Sequence, residues 1–167
     1  MQPRSFCMQT FQVAPITITA FIIKKAEPYD QYLILRRCSS HFFGSWQPVT
    51  GGIEDGETAW EAALREIQEE TDLQPDRFYA GEVVEIYYEV YRNAVVTVPV
   101  FVAFIDSPQE VATSPTEHDA FLWLPYEEAF SYLEFAEQRR ALTYVHENFI
   151  RRKPSELLRI EIPQSVG

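Results

Sequence analysis

Hydrophobic positions along this chain follow two periods. Runs rich in β-branched and aromatic residues predict strands at about Pro15–Lys24, Tyr32–Arg37, Trp46–Thr50, Glu82–Arg92, Val95–Ile105 and Ala120–Leu124. Other stretches repeat with the helical period: about Thr58–Thr71, Tyr126–Tyr132 after Pro125, and Phe135–Arg152, which Pro154 stops. Thr58 followed by Glu61 makes a capping box at the first helix. Asp76–Ile105 reads as a plain hairpin, and the tail after Lys153 as a short strand through Leu157–Ile162. This order of elements predicts an α/β fold, a mixed sheet with helices on both faces.

The first helix carries an unusual polar stripe. At roughly 100° per residue, Glu66 and Glu70 lie almost above one another, with Glu69 at their flank. The three glutamates share their sector with Ala59, Ala62 and Ala63. Trp60, Leu64 and Ile67 form the apolar flank, while Glu61 and Gln68 mark the solvent side. The stripe therefore borders the packed side. Like charges this close repel, and a divalent cation reverses the cost. Hard cations such as Mg²⁺ take carboxylate oxygens together with substrate phosphates. Ahead of the helix, Gly51, Gly52 and Gly56 fall in one short segment, suited to positive φ and to close backbone approach.

Composition narrows the classes. A chain of 167 residues is of single-domain size, and a 46% hydrophobic share supplies a full core. Net charge is −11, which argues against nucleic-acid binding and makes local cations necessary for a polyanionic substrate. Cys7 and Cys38 form no CxxC pair and read as reduced thiols of a cytoplasmic protein. The opening MQPRSFCMQTF lacks an apolar signal region, and no run approaches the ~18 apolar residues of a membrane span. His118 reads as a structural loop or edge residue, His41 and His146 show no ligand spacing, and no zinc site is expected.

Gly51, Glu57, Arg65, Glu66, Ile67, Glu69, Glu70 and Leu73 stand in the register of the Nudix hydrolase signature. The chain therefore resembles that family. Asp72 departs where the family has a glycine, at a helix cap rather than at the chemistry. The resemblance implies an α/β/α sandwich in one domain, residues 1–167, and hydrolysis of a nucleoside diphosphate linked to another moiety. It implies Mg²⁺ (or Mn²⁺) held by Glu66, Glu69, Glu70 and the Thr50 carbonyl beside Gly51, which would neutralise the diphosphate and acidify a water. Glu57 and Arg65 would pair and position the catalytic carboxylates. Glu117, in Thr116-Glu117-His118, would be a further ligand or the general base, with Glu66 and Glu69 as the other candidates for the base. Arg36 reads equally as a phosphate or base contact and as a strand-end charge.

Trp46–Ala59, Leu35-Arg36-Arg37, Thr116-Glu117-His118, Trp123-Leu124, Arg139 and Ala141 are similar to the bacterial dihydroneopterin triphosphate (dATP) pyrophosphohydrolases. Those enzymes differ in a basic residue where this chain has Gln12-Val13-Ala14, and in a mid-chain insertion absent here. The expected partner is a small nucleoside or pterin polyphosphate, handled by a monomer or homodimer with no membrane. Diadenosine polyphosphate, ADP-ribose and an oxidised dNTP are alternative substrates. A Nudix-fold binding module without catalysis is the rival class, and such modules usually lack a signature carboxylate that this chain retains.

Overall fold

A computed structural model describes residues 15–40 and 42–163. Cys7, His41, the opening segment and Gln12-Val13-Ala14 lie outside the described residues.

Strand β1 (Thr17–Lys24) is the centre of a seven-stranded mixed sheet. Its run TITAFIIK is apolar on both sides because both faces are covered. One edge of β1 runs parallel to β6 (Ala94–Ile105), which pairs antiparallel with the outer strand β5 (Arg77–Glu89). The other edge divides. Thr17–Ala20 pair with β4 (Val49–Gly52), and Ile23 and Lys24 pair with β2 (Gln31–Arg37). Strand β2 continues against β3 (Trp46–Gln47) and β7 (His118–Pro125). The expected strand Trp46–Thr50 is therefore two strands, separated at Pro48, which has no N–H to donate to a ladder.

Helix α1 (Ala59–Thr71) covers one face. Its Ala62, Ala63 and Ile67 pack on Ile18, Ala20, Ile22 and Val49. Helices α2 (Tyr126–Tyr132) and α3 (Ala136–Val145) cover the other face, where Ala141, Leu142 and Val145 meet Phe21, Ile23, Tyr79 and Val102. Helices on both faces of a mixed sheet are what the order of elements predicts.

Three boundaries differ from the pattern. Strand β5 begins at Arg77 rather than near Glu82, because a bulge with Glu82 at φ 54° breaks its alternation without ending it. Helix α3 stays α-helical only to Val145 and finishes in a π-helical turn, His146–Ile150, closed by the Arg151 amide on the His146 carbonyl at 3.0 Å. The tail forms a 3-10 turn at Glu156–Leu158 and a single bridge from Arg159 to Tyr79, not a strand.

Candidate active site

Helix α1 is aimed by both its ends. Thr58 caps the start in extended conformation: its hydroxyl accepts from the Glu61 amide at 3.4 Å, and the Thr58 amide donates to the Glu61 carboxylate at 2.9 Å. At the far end Asp72 takes the left-handed conformation, φ 59°, that a glycine takes most easily.

Arg65 ties the entry segment to the helix. Its Nε and Nη2 donate to the two carboxylate oxygens of Glu57, both at 3.0 Å, and Nη2 also donates to the Gly52 carbonyl at 2.8 Å. Nη1 donates to Glu66 at 2.8 Å and to Glu69 at 3.1 Å. The Glu57 bonds hold the guanidinium firmly protonated, and in return Arg65 holds Glu57 below the usual carboxylate range. The acidic stripe thus has an internal counter-charge, which the helical wheel places off its sector.

At Gly51 a side chain would displace Glu66. Gly51 lies in β4, and a Cβ there would come within 1.9 Å of the Glu66 carboxyl carbon. Positive φ belongs instead to Gly56, at 84°. Burial pushes Glu66 up from the ordinary range, Arg65 opposes this, and Glu69 and Glu117 add to it.

Glu70 is the anomaly of the site. It is 1% exposed, and neither carboxylate oxygen has a hydrogen-bond partner. The Thr50 amide acts on it in the lowering sense, but outside the geometry of a made bond. Burial, with Glu66 and Glu117 adding repulsion, pushes its pKa up to about 9, against the opposing pull of Arg37 and Thr50. An unpartnered buried carboxylate is costly unless something positive sits against it.

Two side chains complete the surroundings. Ligand atoms of Glu70, Glu117 and His118 all lie within 4.8 Å of one another. Glu117 is exposed and comes from the turn before β7, which the Cys38 amide fastens through the Glu117 carbonyl at 2.8 Å. Strand β7 lies beside β2, and the turn before it brings Glu117 to Glu70 of α1. His118 is 1% exposed with Nδ1 unpartnered, and burial, aided by Arg37, pulls its pKa down to about 4. A neutral imidazole beside two carboxylates has the chemistry of a nitrogen donor, which stands beside the structural role expected for His118. Adjacency to Glu117 was the only signal in the sequence. His146, by contrast, shares a hydrogen bond with the Tyr32 hydroxyl at 2.9 Å and stacks on Tyr126.

The remaining expected residues are placed as follows. Thr50 stands opposite Thr19 in the β1–β4 ladder. Arg36 makes a two-pronged ion pair with Asp119 at 2.7 and 3.1 Å and lies over the Trp46 ring. Cys38 is a free thiol.

The carboxylates of Glu70 and Glu117, set beside the His118 imidazole, fit a divalent cation. The NUDIX domain family model matches residues 15–146. The chain belongs to the Nudix hydrolase family. It is 32% identical over 120 residues to the bis(5'-nucleosyl)-tetraphosphatase of Rattus norvegicus, covering 70% of this chain and 79% of that one. Nudix hydrolase 5 of Arabidopsis thaliana is 29% identical over 68% of this chain, which spans only 37% of that longer protein. The Escherichia coli dihydroneopterin triphosphate pyrophosphohydrolase shares the fold, with TM-score 0.64 and 24% identity over 77% of this chain and 92% of that one. As a Nudix hydrolase the chain is an enzyme of acid-anhydride bonds in diphosphate-linked substrates. Among the described residues no helix is long and apolar enough to cross a membrane.

Proposed function

We propose that this Nudix domain cleaves a nucleoside or pterin triphosphate to the monophosphate and pyrophosphate, with Mg²⁺ or Mn²⁺ as cofactor. The observation that carries the reading is Glu70, a buried carboxylate without a partner, against which Glu117 converges. Glu66, Glu69, Glu70, Glu117 and the Thr50 carbonyl would hold the cation, with His118 as an added donor. When bound, such a cation screens the diphosphate and acidifies a water.

The chain's own groups do the rest. Arg65 fixes the Glu66 and Glu69 carboxylates and holds Glu57 against the entry segment. Gly51 lets Glu66 lie against the backbone. Glu117 takes the proton from the attacking water: it is exposed where Glu70 is buried, and it is not among the acceptors that Arg65 occupies. Arg36, already paired with Asp119, lines the β2 side as a phosphate or base contact. A second reading, a dinucleoside polyphosphate substrate, is supported by the tetraphosphatase similarity.

A panel of triphosphates, dinucleoside polyphosphates and ADP-ribose with Mg²⁺, resolved for products, tests the choice. Pyrophosphate release from a triphosphate is expected; cleavage confined to dinucleotides overturns the first reading. Glu117→Ala should lower kcat at saturating Mg²⁺ by about 10²-fold, far more than it raises KM. Turnover within about threefold of wild type would return the base to Glu66 or Glu69.

A further inference from the structure

Lysine is scarce in this chain, and two of its three lysines, Lys24 and Lys25, are neighbours. Lys24 is the last residue of β1, and Lys25 follows it. Both line an open cleft of about 290 Å³, together with Ile105, Trp123 and the segment 106–109. Lys24 and Ile105 are register partners, and Trp123 pairs with Leu33. Ile105, Trp123 and Leu33 belong to the apolar cluster on the α1 face, and Lys24 joins them there by alternation with Ile22. The cleft is remote from the cation site. Lys24 stands roughly 16 Å along β1 from Thr19, the partner of Thr50.

The charges at the cleft leave a positive surplus. The Lys24 ammonium lies 4.3 Å from the centre of the Trp123 ring, and burial lowers its pKa. Among the described residues neither lysine has an ion-pair partner. Asp106 lines the cleft within charge range of Lys25. Arg77, however, already donates to both its carboxylate oxygens, at 2.6 and 2.9 Å. A cation drawn out of water against a ring face, with no carboxylate in contact, is met best by an anion.

The rim is built rather than loose. The Asp76 carboxylate accepts from the Asp106 and Ser107 amides at 2.7 and 2.9 Å. Gln109 donates to the Gln74 carbonyl and accepts from the Gln74 amide, both at 2.8 Å. Size narrows the occupant. Pockets for drug-sized ligands run from about 300 to 1,000 Å³, so this cleft, at about 290 Å³, suits a small anion.

We propose that Lys24 and Lys25 form a binding site for a phosphate-type anion, separate from the cation site. A tetrahedral oxyanion presents several acceptors, and two ammonium groups supply the donors as point charges. The anion is free phosphate or pyrophosphate, or the phosphate group of a nucleotide. The site stands whether or not the triphosphate reading holds.

The test is calorimetric titration of chelated, desalted protein with phosphate, pyrophosphate and AMP, at constant ionic strength set with chloride. Without a divalent cation the glutamate stripe repels these anions, so the heat reports the lysine cleft. One saturable site is expected, weakened about tenfold or more in Lys25→Ala and in Lys24→Met. Lys25 is exposed, so Lys25→Ala decides the matter if Lys24→Met fails to fold. Lys153→Ala removes the same charge elsewhere and should leave the affinity unchanged. Phosphate should also raise the melting temperature of wild type above its value in chloride, and less so in Lys25→Ala. Binding of phosphate and pyrophosphate without AMP identifies a free anion; AMP binding as tightly as phosphate identifies a nucleotide's phosphate group. No saturable heat with any of the three, equal affinity in wild type and Lys25→Ala, or an equal weakening in Lys153→Ala overturns the proposal.

Discussion

Glu70 and Glu85 are both carboxyls whose burial raises their pKa, and each makes a prediction with a definite sign. Glu70 is pushed to about 9, so near neutral pH it must lose a proton to take a cation. Cation binding should release protons at pH 7 and tighten toward pH 9, a trend calorimetry in buffers of different ionisation enthalpy would read. Glu70→Gln removes a charge without a packing group. Turnover should fall by about 10²-fold or more while the fold persists by circular dichroism. Near wild-type turnover would remove Glu70 from the site. Glu85 rises from an ordinary 4.5 to about 7. Below pH 4.5 both the folded and the unfolded chain carry it protonated, with no penalty. As pH climbs through 7 the unfolded chain gains more from ionisation, so folded stability is lost across that window. Glu85→Gln should therefore gain melting temperature relative to wild type between those values and hold the gain above them. A gap independent of pH would show that Glu85 titrates normally.

Among the elements, α1 was the most legible, and its caps show why. One continuous segment supplies the capping box, the glutamates and Arg65, so local spacing carries its geometry. Thr58→Ala should cost about 1 kcal/mol by chemical denaturation. Asp72→Gly should stabilise by about 0.5–1 kcal/mol, since Asp72 sits at φ 59°. A loss on Asp72→Gly would mean that its bond from Gln68 Nε2 outweighs the backbone strain. Elements whose form depends on distant partners were read less well. The bulge at Glu82 hid the start of β5, and Pro48 split a strand that composition alone runs together. The π-helical turn after Val145 carries no local signal. Glu85, Gln138 and His118 gain their character only from burial by other segments, so their positions look ordinary in a one-dimensional pattern.

Taken whole, the molecule is an acidic chain with net charge −11 that must draw in a polyanion. The divided edge of β1 and the turn before β7 set Glu66, Glu70 and Glu117 within reach of one another's charge. Arg65 neutralises part of the stripe, yet Glu70 remains without a counter-charge in contact. Divalent-cation dependence is therefore the central claim. Its most direct measurement is turnover of the best triphosphate after exhaustive chelation, followed by titration back with Mg²⁺ in wild type and Glu70→Gln. The account predicts that activity disappears on chelation, returns in proportion to added Mg²⁺ in wild type, and returns poorly in the variant. Hydrolysis that survives chelation, or equal recovery in both proteins, would contradict it.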